Sequence, residues 1–408
     1  MIRFTDHQKV IFNPGMGWVM HTSIEKGYKD HNEFDPHPYI QVVALLSSWA
    51  KIEKEEDVFD FQDLDDAVEK WASLGKQIHL RISTDPMIYR NEALGVPNYV
   101  FEKYHVPYQT KEIYGLNAKF PDYLHPNYLK RVYKFVDQLV SRYHTNKHVV
   151  LMDLRGYGEW GEWHSGYMHD SVETHVLALR TLIQTWDNAC NGRIPLALSG
   201  SYEWRRDQSL SLFSPNSYKQ FLFYSGFDYA LSKSKNITFR RDGIGGALKY
   251  YDYELFQAYF EHHHHHPLTT EFFIAYDRQK ESIDGVRGYF AEDALEEALS
   301  LHPNYMMLMW DSASFFQERQ DLIEHGLKRV GYRLLPTEVR VDIEADLIKI
   351  EHTWENHGVG RLYETHECRF IIEFEQGASL TFVDDQVDLH NVTEQQPKRY
   401  ISLFKTNQ

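Results

Sequence analysis

At 408 residues the chain has room for two domains, or for one large domain with an appendage. Its formal net charge of −16, from 43 basic against 59 acidic residues, argues against nucleic acid or an anionic membrane as main partner, since both need clustered Lys and Arg. Cys190 and Cys368 are too few and too far apart for a disulfide framework, and no long apolar window reads as a membrane span or secretory leader, so a cytoplasmic protein with no membrane contact is expected.

In chain order, an N-terminal strand is expected to end near NPGMGW (13–18), followed by a strand at VVALLSSW (42–49). The helix DLDDAVEKWASLGK sets Leu64, Ala67, Val68, Trp71 and Leu74 on one face, and Gly75 stands where a C-terminal cap belongs. IHLRIST (78–84) reads as a third strand. After a long insertion, the helix PNYLKRVYKFVDQLVSRYH starts at Pro126 and aligns Leu129, Val132, Val136, Leu139 and Tyr143. The strand VVLMDLRG (149–156) precedes a helix expected to begin near Asp170, with Glu173 in capping-box spacing and a stripe of Val176, Leu179, Ile183 and Trp186. Further strands are expected at 194–201, 236–243, 268–276 and 305–312, which brings the total to eight.

Strands buried on both faces and alternating with helices imply parallel βα units, and eight of them over residues 1–330 imply a (β/α)₈ TIM barrel. No G-x-G-x-x-G follows an early strand, which weakens a dinucleotide-binding alternative. Beyond residue 331, EVRVDIEADLIKIEHTW, ECRFIIEFEQ, ASLTFVDD and RYISLF alternate with period two around turns such as ENHGVG. Residues 331–408 are therefore expected to form a small C-terminal antiparallel β-sandwich. The run His262–His266 falls between a helix (248–261) and the seventh strand, on the face away from a barrel's active site, and is read as a solvated loop.

A barrel builds its site at the C-terminal ends of its strands. In this sequence those ends carry Trp18 and His21, Trp49, Arg81 and Asp85, then Asp153-Leu-Arg155-Gly-Tyr-Gly-Glu159-Trp160-Gly-Glu162-Trp163-His164. Tyr202, Glu203 and Trp204 follow the fifth strand, Asp242 the sixth, Glu271 lies in the seventh, and Trp310 with Asp311 ends the eighth. Glycoside hydrolysis needs this mixture: one carboxylic acid protonates the leaving oxygen, a second carboxylate attacks the anomeric carbon or activates water, and aromatic planes position the ring. The 15% aromatic content suits such a cleft, though an aromatic-rich core accounts for it as well. No G-x-S-x-G elbow supports serine hydrolysis. A zinc set from His79, His164 and Asp242 has no pattern behind it, so no metal and no cofactor are expected.

A Glu ending strand four and a Glu on strand seven resemble the retaining glycoside hydrolases of clan A. More narrowly, NPGMGW, SSWAKIE, FDFQDLDDAVEKWASLGKQIHLRIST and GYGEWGEWH, with NHGVGRLY near the end, resemble a bacterial family with a beta-galactosidase-like barrel. The resemblance implies Glu162 as acid/base and Glu271 as nucleophile. It departs at Gly161, where clan A places Asn before the acid/base Glu, and at IEKEED, where such barrels commonly carry a Glu-Pro pair and a Gly.

Other readings stay open. Glu159 is an alternative acid, with Glu162 then a partner of Arg155 or His164. Glu271 is alternatively a barrel-layer carboxylate paired with Arg81 or Arg240, and Trp160 and Trp163 are alternatively core residues. The expected substrate contacts are Trp18, His21, Trp49, Arg81, Arg155, Glu159, Trp160, His164, Tyr202, Trp204, Asp242 and Trp310. The expected activity is retaining hydrolysis of an oligo- or polysaccharide; the rival is a non-catalytic carbohydrate-binding barrel. The sequence carries no sign of the oligomeric state.

Overall fold

Eight parallel strands close on themselves in sequence order: β1 (Gly17–Ser23), β2 (Ile40–Ser48), β3 (Gln77–Ser83), β4 (Val149–Leu154), β5 (Leu196–Ser199), β6 (Ile237–Ile244), β7 (Thr269–Phe272) and β8 (Tyr305–Leu308). Strand β8 returns to β1, pairing Tyr305 with Gly17 and Met307 with Val19. This computed structural model describes residues 1–23, 38–85, 87–89, 92–113, 115–163, 171–200, 216–246, 251–273, 275–276, 291–309, 313–375, 377 and 379–405. Among these residues no helix is long and apolar enough to cross a membrane.

The strands are apolar on both faces because each packs twice. Trp18, Met20, Val43, Leu45, Ile78, Leu80, Met152 and Leu154 face the surrounding helices. Val19, Val42, Ala44, Tyr305 and Met307 form a separate cluster inside the barrel. The helices Gln62–Ser73, Pro126–Tyr143 and Val172–Cys190 follow strands two, three and four as expected. Leu64, Val68 and Trp71 are buried along the first of them. Leu74 is not, because the helix ends before it and the residue lies 43% exposed. The third helix is capped by the Ser171 side chain, which accepts from the Thr174 N–H, one residue beyond the expected Asp170.

Two placements correct the sequence reading. Strand β1 begins at Gly17, where it was expected to end, because the chain turns at Pro14–Gly15 and is extended only beyond it. Trp18 is therefore an early strand residue whose indole points outward and donates from Nε1 to the Ile323 carbonyl at 3.1 Å, on the helix Gln320–Arg329. Trp49 likewise turns away from the barrel mouth. It stacks on Phe135 at 5.5 Å and donates to Glu53 Oε2 at 2.6 Å, while Arg131 pairs with the same buried carboxylate. Both indoles are fully buried core, and neither reaches the site. Trp49→Ala is expected to cost about 3–5 kcal/mol of stability in urea unfolding, through the cavity it leaves. A lower saccharide affinity at unchanged stability would return Trp49 to the substrate.

The long insertion after β3 holds two antiparallel hairpins that the sequence did not announce, Met87–Tyr89 with Glu92–Leu94 and Tyr108–Ile113 with Leu116–Pro121. The C-terminal strands fall where period two placed them: β9 (Leu334–Glu344), β10 (Leu347–Asn356), β11 (Cys368–Glu373), β12 (Ser379–Asp384) and β13 (Lys398–Lys405). They form two antiparallel sheets. One has β9, β10 and β13 with Ile2–Arg3 at its edge; the other is the β11–β12 hairpin. Phe370 and Phe382 of the hairpin meet Phe404 of β13 with ring centroids at 5.5 and 4.6 Å. The segment Asn356–Arg361 docks this region on the barrel's N-terminal end. Gly360 N–H donates to the Gly331 carbonyl at 2.6 Å, and a Cβ at residue 360 would lie 2.3 Å from Asn304 Oδ1. The histidine run begins in a π turn, Tyr259–His263. His262 is exposed, whereas burial pushes His266 down to about 4.

Candidate active site

Once the register is fixed, alternate residues of each strand point into the barrel. Above the apolar interior cluster this alternation stacks His21 from β1, Arg81 from β3, Asp153 from β4, Arg240 and Asp242 from β6 and Glu271 from β7, with Arg155 just past β4. All lie toward the C-terminal ends of their strands. At the bottom of the layer, Asp153 Oδ2 is 2.9 Å from Arg81 Nε and 3.3 Å from Arg240 Nε. The expected interior role of Asp153 therefore has a definite form: it holds two guanidiniums in place.

Those guanidiniums point upward at Glu271. Arg81 is bidentate to it, with Nη1–Oε1 at 2.9 Å and Nη2–Oε2 at 2.8 Å, and Arg240 Nη1 pairs with Oε2. Burial alone would raise the Glu271 carboxyl, but the two guanidiniums and a hydrogen bond with Asp242 hold it well below the ordinary carboxylate range. Asp242 moves oppositely. Its burial, and the negative charge of Glu162 and Glu271, outweigh Arg240 and raise it well above that range. Asp242 Oδ1 lies 2.7 Å from Arg240 Nη1, and its Oδ2 accepts from Ser199 Oγ at 2.9 Å.

Glu162 completes the group. One carboxylate oxygen from each of Glu162, Asp242 and Glu271 lies within 4.8 Å of the other two. Glu162 Oε1 is 3.2 Å from Arg155 Nη2 and 3.5 Å from Arg81 Nη2, and its side chain is 22% exposed against 8% for Glu271. Glu159, the alternative acid, is buried at 4% and stands outside this carboxylate group. His21 is also buried; desolvation first, then Arg81, lowers it well below the ordinary histidine range, against the pull of Glu271.

The segment that delivers Glu162 is strained. Glu159–Gly161 form a single 3₁₀ turn, and Trp160 and Trp163 have φ of 63° and 66°, where an L side chain is disfavoured. The indole of Trp163 anchors it, fully buried, with Nε1 donating to the Ser225 carbonyl at 2.9 Å. Arg155 Nη2 donates to the Trp160 carbonyl. Trp163 is thus a core tryptophan, while Trp160 stays half-buried at the rim. Gly161, at φ +67°, has no room for a side chain, since a Cβ would lie 2.7 Å from the Arg155 carbonyl carbon. Asp85 stays off the carboxylate group; it accepts from Tyr123 Oη at 2.6 Å, and burial raises it well above the usual range. His164, Tyr202, Glu203, Trp204, Trp310 and Asp311 lie outside the described residues.

Sequence reasoning offered Arg81 or Arg240 as a partner of Glu271, but not that both hold it at once, nor that Asp242 joins the same group. The only signal was shared inward parity, unreadable before the register was known. Below the layer, His79 packs edge-on against Tyr305 at 4.6 Å and is pushed down to about 3 by burial and by Arg81 and Arg240. The unfolded chain takes up this proton near the ordinary 6.5, so the histidine contributes stability that grows from about pH 3 to about pH 6.5 and is complete above. His79→Gln is expected to flatten the pH dependence of unfolding free energy in that window by up to about 1.4 kcal/mol per pH unit. Asp85 and Asp242 pull the other way but cancel between variant and parent. Parallel curves from denaturation at pH 4, 5 and 6 would rule out the buried neutral imidazole.

Residues 28–171 match the beta-galactosidase family model, Glyco_hydro_42. The beta-galactosidase-like segment is about a third of the chain; it spans β2 to β4 and includes Glu162 but not Glu271. No curated protein matches the chain. Among solved structures, endo-glycoceramidase II from Rhodococcus sp. aligns at TM-score 0.47 and 13% identity over 96% of each chain. The catalytic domain of beta-amylase from Paenibacillus polymyxa aligns at 0.48 and 10% over 72% of this chain and 92% of its own. A GH30 endoxylanase from Clostridium papyrosolvens aligns at 0.46 and 9% over 96% of this chain and 94% of its own.

Proposed function

We propose that the protein is a retaining glycoside hydrolase acting on an oligo- or polysaccharide, with Glu271 as nucleophile and Glu162 as acid/base. The observation that carries this reading is the approach of Glu162 and Glu271 at the C-terminal mouth of the barrel, with carboxylate oxygens within 4.8 Å. So close an approach of single oxygens supports the short carboxyl separation of retaining enzymes, roughly 5–5.5 Å, over the roughly 6.5–9.5 Å that inverting enzymes need for a water. The match to the beta-galactosidase family supports β-galactosides as the first sugars to try.

In this mechanism the ionised Glu271 attacks the anomeric carbon while Glu162 gives its proton to the leaving oxygen. Glu162 then takes a proton from the water that breaks the glycosyl–Glu271 ester. Arg81 and Arg240 keep Glu271 charged and aimed. His21, Arg155, Glu159, Trp160 and Asp242 border the sugar. Residues 1–330 form the catalytic unit, and 331–408 a small β-sandwich accessory. Cys190 and Cys368 are both free and buried, which supports a reducing, cytoplasmic setting.

The test is a screen of aryl glycosides of varied sugar and anomer, followed by proton NMR of the first-formed product. Retained configuration, and a 2-deoxy-2-fluoro glycoside trapped on Glu271 by mass spectrometry, are the expected results; inversion sinks the mechanism. A second reading, a carbohydrate-binding barrel without turnover, draws on the engagement of both Glu271 oxygens by guanidiniums. Saccharide binding with no hydrolysis of any glycoside in the screen would establish it.

A further inference from the structure

We propose that His366, Asp388 and His390 form a site for one divalent cation of the zinc class, at the base of the β11–β12 hairpin. One donor atom from each residue lies within 4.8 Å of the other two, and the two imidazole centroids are 4.7 Å apart. The decisive feature is what holds the rings. His366 Nε2 is 3.1 Å from the Val387 carbonyl oxygen, and His390 Nε2 is 3.1 Å from the Glu364 carbonyl oxygen. With each Nε2 turned to its carbonyl, both Nδ1 atoms are turned away from the backbone. His390 Nδ1–H donates to Asp388 Oδ1 at 2.7 Å, a proton that a cation bound between the two would displace, and His366 Nδ1 is buried without a hydrogen-bond partner among the described residues. In the other tautomer of His366, Nε2 accepts from the Leu389 N–H at 3.2 Å and a buried Nδ1–H is left without an acceptor. Either way Nδ1 is unsatisfied, at a cost of about 1–3 kcal/mol, unless a cation meets its lone pair.

The carboxylate is prepared in the same way. Asp388 Oδ1 accepts from the His390 backbone N–H at 3.0 Å and Oδ2 from the Asn391 side-chain amide at 2.8 Å. Imidazoles anchored through their second nitrogen, with a hydrogen-bonded carboxylate, are the outer shell that metal ligands carry. Two nitrogens and one oxygen suit zinc, cobalt or nickel better than magnesium or calcium, and they leave a fourth position for water on the exposed side of Asp388. The position in the chain gives the ion a structural use. His366 precedes β11 while Asp388 and His390 follow β12, so one ion ties both ends of the hairpin to a single point. A unit of this size has a small core and gains from such a tie.

The run His262–His266 is itself a metal-binding composition, so the test uses a full-length chain carrying His262→Gln, His263→Gln, His264→Gln and His265→Gln. After chelation, zinc alone is titrated by calorimetry and cobalt by visible absorption. One equivalent of zinc and the cobalt band of a four-coordinate site are expected. His366→Ala or His390→Ala should remove the band and weaken zinc by about 100-fold or more, and Asn391→Ala by about 10-fold. If an alanine variant fails to fold, Asp388→Asn removes the exposed ligand with little change of shape and carries the same expectation. Absence of zinc uptake by the four-glutamine chain, or unchanged affinity in the ligand variants, overturns the site.

Discussion

Glu271→Gln is expected to lower kcat by about 10³-fold or more, a loss of at least ~4 kcal/mol of transition-state stabilisation, while leaving saccharide affinity in place. The same substitution should also cost the fold. Arg81 and Arg240 are buried, and the carboxylate they share is their partner above the Asp153 anchor. Removing that charge leaves two guanidiniums under-compensated, a penalty of about 3 kcal/mol or more. Activity and stability must therefore be measured together, by turnover of an aryl glycoside and by urea unfolding of the same preparation. Full turnover in a folded Glu271→Gln protein removes the nucleophile assignment. Glu162→Gln gives a complementary pattern. An acid lost from the first step should cost about 10²–10⁴-fold on substrates with poor leaving groups and much less on nitrophenyl glycosides, whose leaving oxygen needs no proton. If Glu159→Gln shows that leaving-group dependence and Glu162→Gln does not, the two glutamates exchange roles.

Gly161→Asn, which puts at this position the residue that the retaining enzymes of clan A carry before their acid/base, is expected to be damaging. Asn tolerates a φ of +67° better than most residues, so the backbone alone does not forbid it. Space does: a Cβ at residue 161 would stand 2.7–2.8 Å from the Arg155 backbone and Cβ. The turn must shift to admit it, and both neighbours matter, since Arg155 contacts Glu162 and the Trp160 carbonyl. A displacement of 1 Å at Glu162 is worth about 10²-fold in kcat, and the strain about 1–3 kcal/mol in stability. A Gly161→Asn protein with parental kcat and unfolding midpoint would show that the turn is softer than its contacts imply.

How much of this was readable from sequence depended on which physical signal each residue left. The eight barrel strands and the five C-terminal strands announced themselves through apolar runs and period two, and their observed positions differ mainly at the ends. Glu162 and Glu271 drew attention because strand-end carboxylates are chemically conspicuous, and the fold brings them together. The tryptophans were misleading. Trp18 and Trp49 sit near strand ends in sequence, but whether an indole faces the mouth or the helices depends on register and on where a strand starts, which the NPGMGW turn moved by several residues. Trp163 carries the same lesson in reverse, since the crowding of indoles in GEWGEWH partly reflects a need to anchor a strained turn. Gly161 looked like a departure from the family pattern and is instead a packing requirement. The hairpins between β3 and β4 left no signal, because short two-strand ribbons far from the barrel core have little apolar patterning to show.

The edge strand Ile2–Arg3 pairs with Val339 and Glu338 of β9, a contact between residues about 335 positions apart. Closing a loop of that length yields a two-residue ladder, the Phe4–Thr337 hydrogen bond and the nearby Arg3–Glu338 and Asp6–Arg333 ion pairs in return, so its entropic cost is met late, after the barrel has brought the segments close. In a nascent chain these residues are thus among the last of the described segments to find their place. They wait through the synthesis of every barrel strand, and during that interval the segment is open to proteases and to other sheets' edges.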